Sequence, residues 1–257
     1  MIERKGYNQE RSSMYEQAIR EYPLARIEDI NAMRKYLSPK KGERILGIGE
    51  GNGYFCSPIL GAIGTTGKYI VAEPSPCQLE NLVERTGSPS NLETINVSAE
   101  DIEFEEETFD KIWSFGAIHH CDKQEEAFKR IYRALKKRGR LIICDVFQGS
   151  VLADHFDEQV ARYSCMGHNV KFLSEKMARS LCYLIGFKDS NLIIKDLLQQ
   201  WHFKTERDVG RFIYLLHGMS KVPGETEEER CAFVLEGCKR ILGVKKEKEG
   251  YALNWPL

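Results

Sequence analysis

Apolar positions recur along this chain with two periods, and the changes of period mark its elements. Tyr15, Ala18, Ile19 and Tyr22 share one helical face, Pro23 interrupts it, and Ile27, Ile30, Met33 and Leu37 resume at helical spacing over residues 12–37. Continuous apolar runs then predict buried strands at Ile45–Ile48, Tyr69–Glu73, Leu92–Val97, Lys111–Phe115 and Leu141–Val146. Between them lie a helix at Gln78–Arg85 and one striped by Phe128, Ile131, Tyr132 and Leu135, its end loaded by Lys136, Lys137 and Arg138 and stopped at Gly139. Strand and helix alternate five times by residue 146, the pattern of a doubly wound, mainly parallel sheet.

Past residue 147 the pattern turns mostly helical. Residues 151–166 and 175–185 read as helices, the second capped by Ser174, and Asn191–Leu198 as a sixth strand. Thr205 with Asp208, and Thr226 with Glu229, open two further amphipathic helices. Lys245–Glu249 reads as a solvated linker and Tyr251–Pro256 as the last strand.

The chemistry concentrates where the first strand ends, in ILGIGEGNGYF, residues 45–55. Glycines there let the backbone turn with positive φ and approach a ligand closely. Amides opening the following helix suit an anionic group. A dinucleotide turn needs G-x-G-x-x-G, yet its third position falls on Asn52 or Tyr54, and no G-x-x-x-x-G-K-[ST] is present in this stretch. The remaining G-x-G-x-G pattern marks a different nucleoside-binding turn. Glu73 ends the second strand twenty residues after Gly53, where a carboxylate can accept from both hydroxyls of a ribose. Ser98–Glu100 and Ser114–Gly116 also lie at strand carboxyl ends, so all these residues line one crevice.

Charge narrows the partners. With 37 basic and 38 acidic side chains the net charge is −1, which gives no overall attraction to nucleic acid or anionic membrane. The start, MIERKGYNQER, has no apolar leader core and no 18-residue apolar run follows, so a soluble cytoplasmic protein is expected. Eight cysteines form no C-x-x-C pair; buried reduced thiols and no metal site are expected.

Together, ILGIGEGNG, VAEPS, VSAEDIEF, FDKIWSFGAIHH and AFKRIYRALKKRGRLIICDV resemble class I S-adenosylmethionine-dependent methyltransferases, in the small-molecule branch that includes ubiquinone, menaquinone and sterol methyltransferases. The resemblance covers about residues 40–147. It implies an α/β, doubly wound Rossmann-like fold with a mainly parallel seven-stranded sheet, an antiparallel last strand and a helical insertion before it. It also implies S-adenosyl-L-methionine as cofactor and S-adenosyl-L-homocysteine as product. By position, Gly49, Glu50, Gly51 and Gly53 meet the methionine end, Glu73 the ribose, and Pro74 the adenine. Ser98, Ala99 and Glu100 meet the adenine edge, while Ser114, Phe115 and Gly116 run along the cofactor toward the substrate. One departure stands out: the family usually has Asp or Glu two residues before the first of these glycines, and here that residue is Gly47, with Glu50 the acid placed to compensate.

The expected organisation is a single methyltransferase domain over 1–257. It comprises an N-terminal helical cover (1–40), a cofactor core (41–147), substrate-side helices and the sixth strand (148–198), a helical insertion or lid (199–250) and the last strand (251–257). Methyl transfer needs orientation more than protein-borne reactivity, so no metal or covalent residue is required. His119, Tyr163, His168 and Trp201 are the substrate-pocket candidates, and no catalytic residue is assigned. A small-molecule acceptor is the expected partner, without nucleic acid or membrane, and the inserted helices cover the crevice or pair in a homodimer. The competing functions are methylation of RNA or protein and non-catalytic binding of S-adenosylmethionine.

Overall fold

Five parallel strands form the sheet that the apolar runs predict. The computed structural model describes residues 8–257. Residues 1–7, which include part of the expected helical cover, lie outside the described residues. The strands are β1 (Arg44–Ile48), β2 (Lys68–Ala72), β3 (Leu92–Ile95), β4 (Phe109–Phe115) and β5 (Leu135–Cys144), ordered β3-β2-β1-β4-β5. The chain starts at the sheet centre, runs to one edge, then crosses to the other side. The topological switch therefore lies between β1 and β4, where Ile48 is in register with Ser114.

Successive strand residues point to opposite faces, and both faces are buried. Ile45, Tyr69, Val71 and Trp113 pack on one side with Met33, Leu37 and Ile59. Leu46, Ile48, Ile70 and Ile112 pack on the other with Phe128, Ile131 and Cys182. This explains why the strands read as near-continuous apolar runs. The helices of this unit, Cys56–Ile63, Pro76–Thr86, Gln124–Ala134 and Glu175–Ile185, supply the covering layers.

The described residues divide into two units. The first holds 30–146 and 170–194; the second holds 8–29, 147–169 and 195–257. The second unit is built on an antiparallel sheet of order β6-β8-β7, comprising β6 (Leu198–Phe203), β7 (Val244–Glu247) and β8 (Gly250–Pro256). Trp201 and Trp255 stack at 3.9 Å in its core, and the Trp201 indole N–H donates to Asp29 (3.1 Å). Helices Glu206–Leu216 and Glu227–Ile241 start at Thr205 and Thr226, each in a complete capping box with Asp208 and Glu229.

The doubly wound, mainly parallel class stands, and its strand arrangement is corrected in three places. The expected seven-stranded sheet is five parallel strands plus a separate antiparallel sheet of three. The sixth strand is not Asn191–Leu198 but begins at Leu198, because its ladder partner is β8, whose Pro256 pairs with Leu198. The segment Lys245–Glu249 is not a linker: Val244–Glu247 pairs with Gly250–Leu253 as a hairpin. A further difference lies at the helix Gln124–Ala134, which stops before Lys136. Leu135 already pairs with Phe109, and the ladder resumes only at Arg140 opposite Lys111. The cations 136–138 thus sit in a bulged stretch rather than on a helix end.

No helix among the described residues is long and apolar enough to cross a membrane. The helix cysteines Cys182 and Cys238 are buried free thiols.

Candidate functional site

The site grows from the end of β1. Gly49, Gly51 and Gly53 take φ of 67°, 58° and 76°, as the sequence requires, and the Gly49 N–H is fixed to Ala72 O on β2 (2.8 Å). A side chain at position 49 would collide with the Ala117 methyl, so the turn admits only glycine there on space as well as on φ.

Glu73 closes the turn from β2. Its Oε2 accepts from the Gly51 N–H (3.0 Å) and its Oε1 from the Ser75 N–H (2.9 Å). Asn96 Nδ2 donates to the Glu73 and Pro74 carbonyls (3.0 and 2.9 Å), which holds the acid-proline step in place. Burial pushes the Glu73 carboxyl up to about 7, against the pull of those two amides.

Glu50 stands beside it, equally buried. Burial raises its carboxyl to about 8; the Tyr69 hydroxyl draws it down, and the neighbouring Glu73 pushes it further up. The Glu50 side chain fills the space next to Gly47: its Oε1 lies 2.9 Å from where a Cβ on Gly47 would stand, and the Tyr69 hydroxyl crowds the same point. An acid at position 47 is thus replaced in space by the acid at position 50.

Several buried polar atoms at this turn and the neighbouring strand ends lack a partner among the described residues. Glu50 Oε2, both side-chain polar atoms of Gln78, Ser114 Oγ and Glu100 Oε2 make no hydrogen bond there. Gln78 is 1% exposed and its amide oxygen lies 4.0 Å from where a Cβ on Gly51 would stand. Leaving such groups unsatisfied costs about 1–3 kcal/mol each, so the set fits a polar ligand seated on the glycine turn. A cationic sulfonium amino acid joined to a nucleoside meets that demand: its ammonium suits Glu50, and its ribose diol suits Glu73.

The remaining candidates lie at the neighbouring strand ends. Ala99 is buried, and Glu100 Oε1 accepts from the Asp122 N–H (3.1 Å). Phe115 packs on Phe55 at 5.1 Å, and the Gly116 N–H donates to Cys144 O (2.7 Å) with φ 63°. Beyond Gly116 comes His119, 5% exposed, with Nδ1 2.5 Å from Asp145 Oδ1 and its backbone N–H donating to Asp145 Oδ2 (3.1 Å). The Val146 N–H also donates to Asp145 Oδ1 (2.8 Å). Phe172 packs against the imidazole at 5.3 Å.

Gln78 and Asp145 were missed by sequence reasoning, although each left a trace. Asp145 is the one charge closing an otherwise apolar strand, LIICD, at a carboxyl end. Gln78 lies in the first turn of the helix that follows Glu73, three residues after its Ser75 cap.

Tyr163, His168 and Trp201 belong to the second unit. Tyr163 meets Phe233 edge-on at 5.3 Å, His168 stacks on Phe156 at 4.8 Å, and Trp201 is 1% exposed in the core described above. His202 lies between Glu28 (3.0 Å) and Glu247 (3.3 Å). Burial pushes His155 down to about 3, leaving it neutral.

Residues 46–143 match the family model described as a methyltransferase domain. The ubiquinone/menaquinone biosynthesis C-methyltransferase UbiE of Haemophilus ducreyi is 31% identical over 110 residues, 41% of this chain and 42% of that protein. The chain thus spans about two fifths of the length of the curated relatives it matches. Among solved structures, the YcgJ protein of Bacillus subtilis shares the fold with a TM-score of 0.61 at 16% identity, over 88% of this chain and 94% of that one. A SAM-dependent methyltransferase of Thermotoga maritima is 25% identical with a TM-score of 0.52, over 70% of this chain and 82% of that one. The glycine turn and the strand-end acid both fall inside the matched segment: residues 46–143 are similar to the methyltransferase domain over that stretch.

Proposed function

We propose that the protein transfers the methyl group of S-adenosylmethionine to a small organic acceptor and releases S-adenosylhomocysteine. The observation that carries this reading is Glu73, held by the Gly51 and Ser75 amides at the mouth of a turn whose buried polar atoms await partners. When bound, the cofactor supplies an electrophilic methyl that an acceptor takes in line. Glu73 holds the ribose hydroxyls, Glu50 faces the amino acid end, and Gln78 and Ser114 offer further hydrogen bonds. His119 is the base for an acceptor that must lose a proton. Asp145 takes the Nδ1–H, which leaves Nε2 as the basic atom and fixes the ring; the proton passes from the acceptor to Nε2. Asp145 is therefore a positioning residue. The UbiE relatives support a small-molecule acceptor. On this reading acceptor choice belongs to residues 148–257, outside the matched segment.

Calorimetry tests the cofactor. S-adenosylhomocysteine is expected to bind while NAD gives no heat; binding of NAD alone would overturn the reading. Binding also needs ionised carboxylates. With Glu73 at about 7 and Glu50 at about 8, ionisation rises with pH through that range, so affinity grows with it. Between pH 8 and pH 6 the affinity is expected to fall about tenfold or more, and a flat profile would remove both acids from the site.

The base is tested by His119→Ala. With phenolic and amine acceptors, release of S-adenosylhomocysteine is expected to slow by about 10²–10⁴-fold, at cofactor affinity unchanged within about threefold. Unchanged turnover would show that the acceptor needs no base.

A further inference from the structure

The amino ends of β1, β4 and β5 line an open surface cavity of about 340 Å³, at the opposite end of the sheet from the glycine turn. Its wall carries the cations Lys40, Lys111, Lys136, Arg138 and Arg140 against the acids Glu43 and Asp110. Both acids are already engaged. Glu43 pairs with the buried Lys111 (2.8 Å), whose Nζ also donates to Ser38 O (2.6 Å). Asp110 pairs with Lys136 (2.6 Å) and accepts from the Arg44 N–H (2.9 Å). Lys40, Arg138 and Arg140 have no carboxylate partner among the described residues, and Arg140 reaches only the Tyr36 carbonyl (3.2 Å).

The local backbone concentrates this charge. Residues 136–139 bulge out of the β4–β5 ladder opposite Asp110, and bulges of this kind re-aim side chains. Where the ladder resumes, Lys111 and Arg140 are register neighbours, an unfavourable pairing of like charges. The cavity thus holds an excess of three positive charges, two of them guanidinium forks that suit the oxygens of a phosphate. S-adenosylmethionine carries no phosphate, so nothing in the proposed methyl transfer uses these residues.

We propose that this cavity binds a phosphate anion of two or more charges, such as a polyphosphate or the polyphosphate tail of a nucleotide. The anion would lie between the Lys40 and Arg138 side chains, beside the Lys111–Arg140 pair.

The test is calorimetry on the full chain with sodium tripolyphosphate, repeated with GTP. Binding is expected to weaken as salt rises. It should fall at least tenfold in Lys40→Ala/Arg138→Ala, both exposed positions, with melting temperature and S-adenosylhomocysteine affinity unchanged. Equal affinity for both probes assigns recognition to the phosphates alone, and tighter binding of GTP assigns a nucleotide; either supports the site. No heat at millimolar tripolyphosphate, or the same affinity in the double variant, overturns it. Because the cofactor is titrated separately, failure here leaves the methyltransferase reading intact, and the reverse holds.

Discussion

Replacing Glu73 with alanine is expected to weaken S-adenosylhomocysteine binding by about 1.5–3 kcal/mol, the range for hydrogen bonds to a charged group. That is roughly a ten- to hundredfold loss of affinity. Two effects act in the same direction. The ribose loses its acceptor, and the Gly51 and Ser75 amides lose the carboxylate that sets the turn before any ligand arrives. Glu73→Gln keeps the shape and one acceptor oxygen, so it should fall between wild type and alanine. A calorimetric affinity for Glu73→Ala within about threefold of wild type would exclude Glu73 from the ribose role.

The second large effect concerns Gly47. Its backbone is not in the left-handed region, so its missing side chain is a matter of space rather than conformation. A Cβ there would press into the Tyr69 hydroxyl and the Glu50 side chain. Gly47→Asp, which restores the acid usual in the family, is therefore expected to destabilise the protein by about 1–3 kcal/mol through overpacking. It would also crowd a third carboxyl against Glu50 and Glu73. Gly47→Asp/Glu50→Ala/Tyr69→Phe removes both the clash and the surplus charge, and should recover much of the stability and cofactor affinity. Thermal melts and S-adenosylhomocysteine titrations of the two variants read this directly. Equal stability of Gly47→Asp and wild type would show that the space beside Gly47 is not closed.

Legibility in the sequence followed the range of the interactions involved. The glycine turn and Glu73 could be read because each depends on local geometry: a strand end, a positive φ, a fixed spacing. The parallel strands could be read because burial on both faces makes them continuous apolar runs. The two capping boxes at Thr205 and Thr226 are four-residue features and needed nothing else. The exchange of acids between positions 47 and 50 could not be read fully. It depends on Tyr69, from the neighbouring strand, reaching the same point in space. The same holds for the last strands. Whether Asn191–Leu198 or Leu198–Phe203 pairs is decided by β8, more than fifty residues downstream, and periodicity alone does not rank the two. His119 was a bare candidate until Asp145, twenty-six residues later, gave it a partner.

The placement of the three tryptophans makes the two units optically distinct. Trp201 and Trp255 are stacked nearly parallel, at 18° between planes, so their excited states couple and the pair carries a circular dichroism signature that a lone indole lacks. Trp113 belongs to the other unit, where it packs edge-on against Phe55 at 5.5 Å and tilted against Phe115 at 5.8 Å, both next to the glycine turn. Loss of the couplet therefore marks melting of the antiparallel sheet. The emission of Trp113, isolated in a variant with Trp201 and Trp255 changed to phenylalanine, follows the aromatic wall of the cofactor crevice.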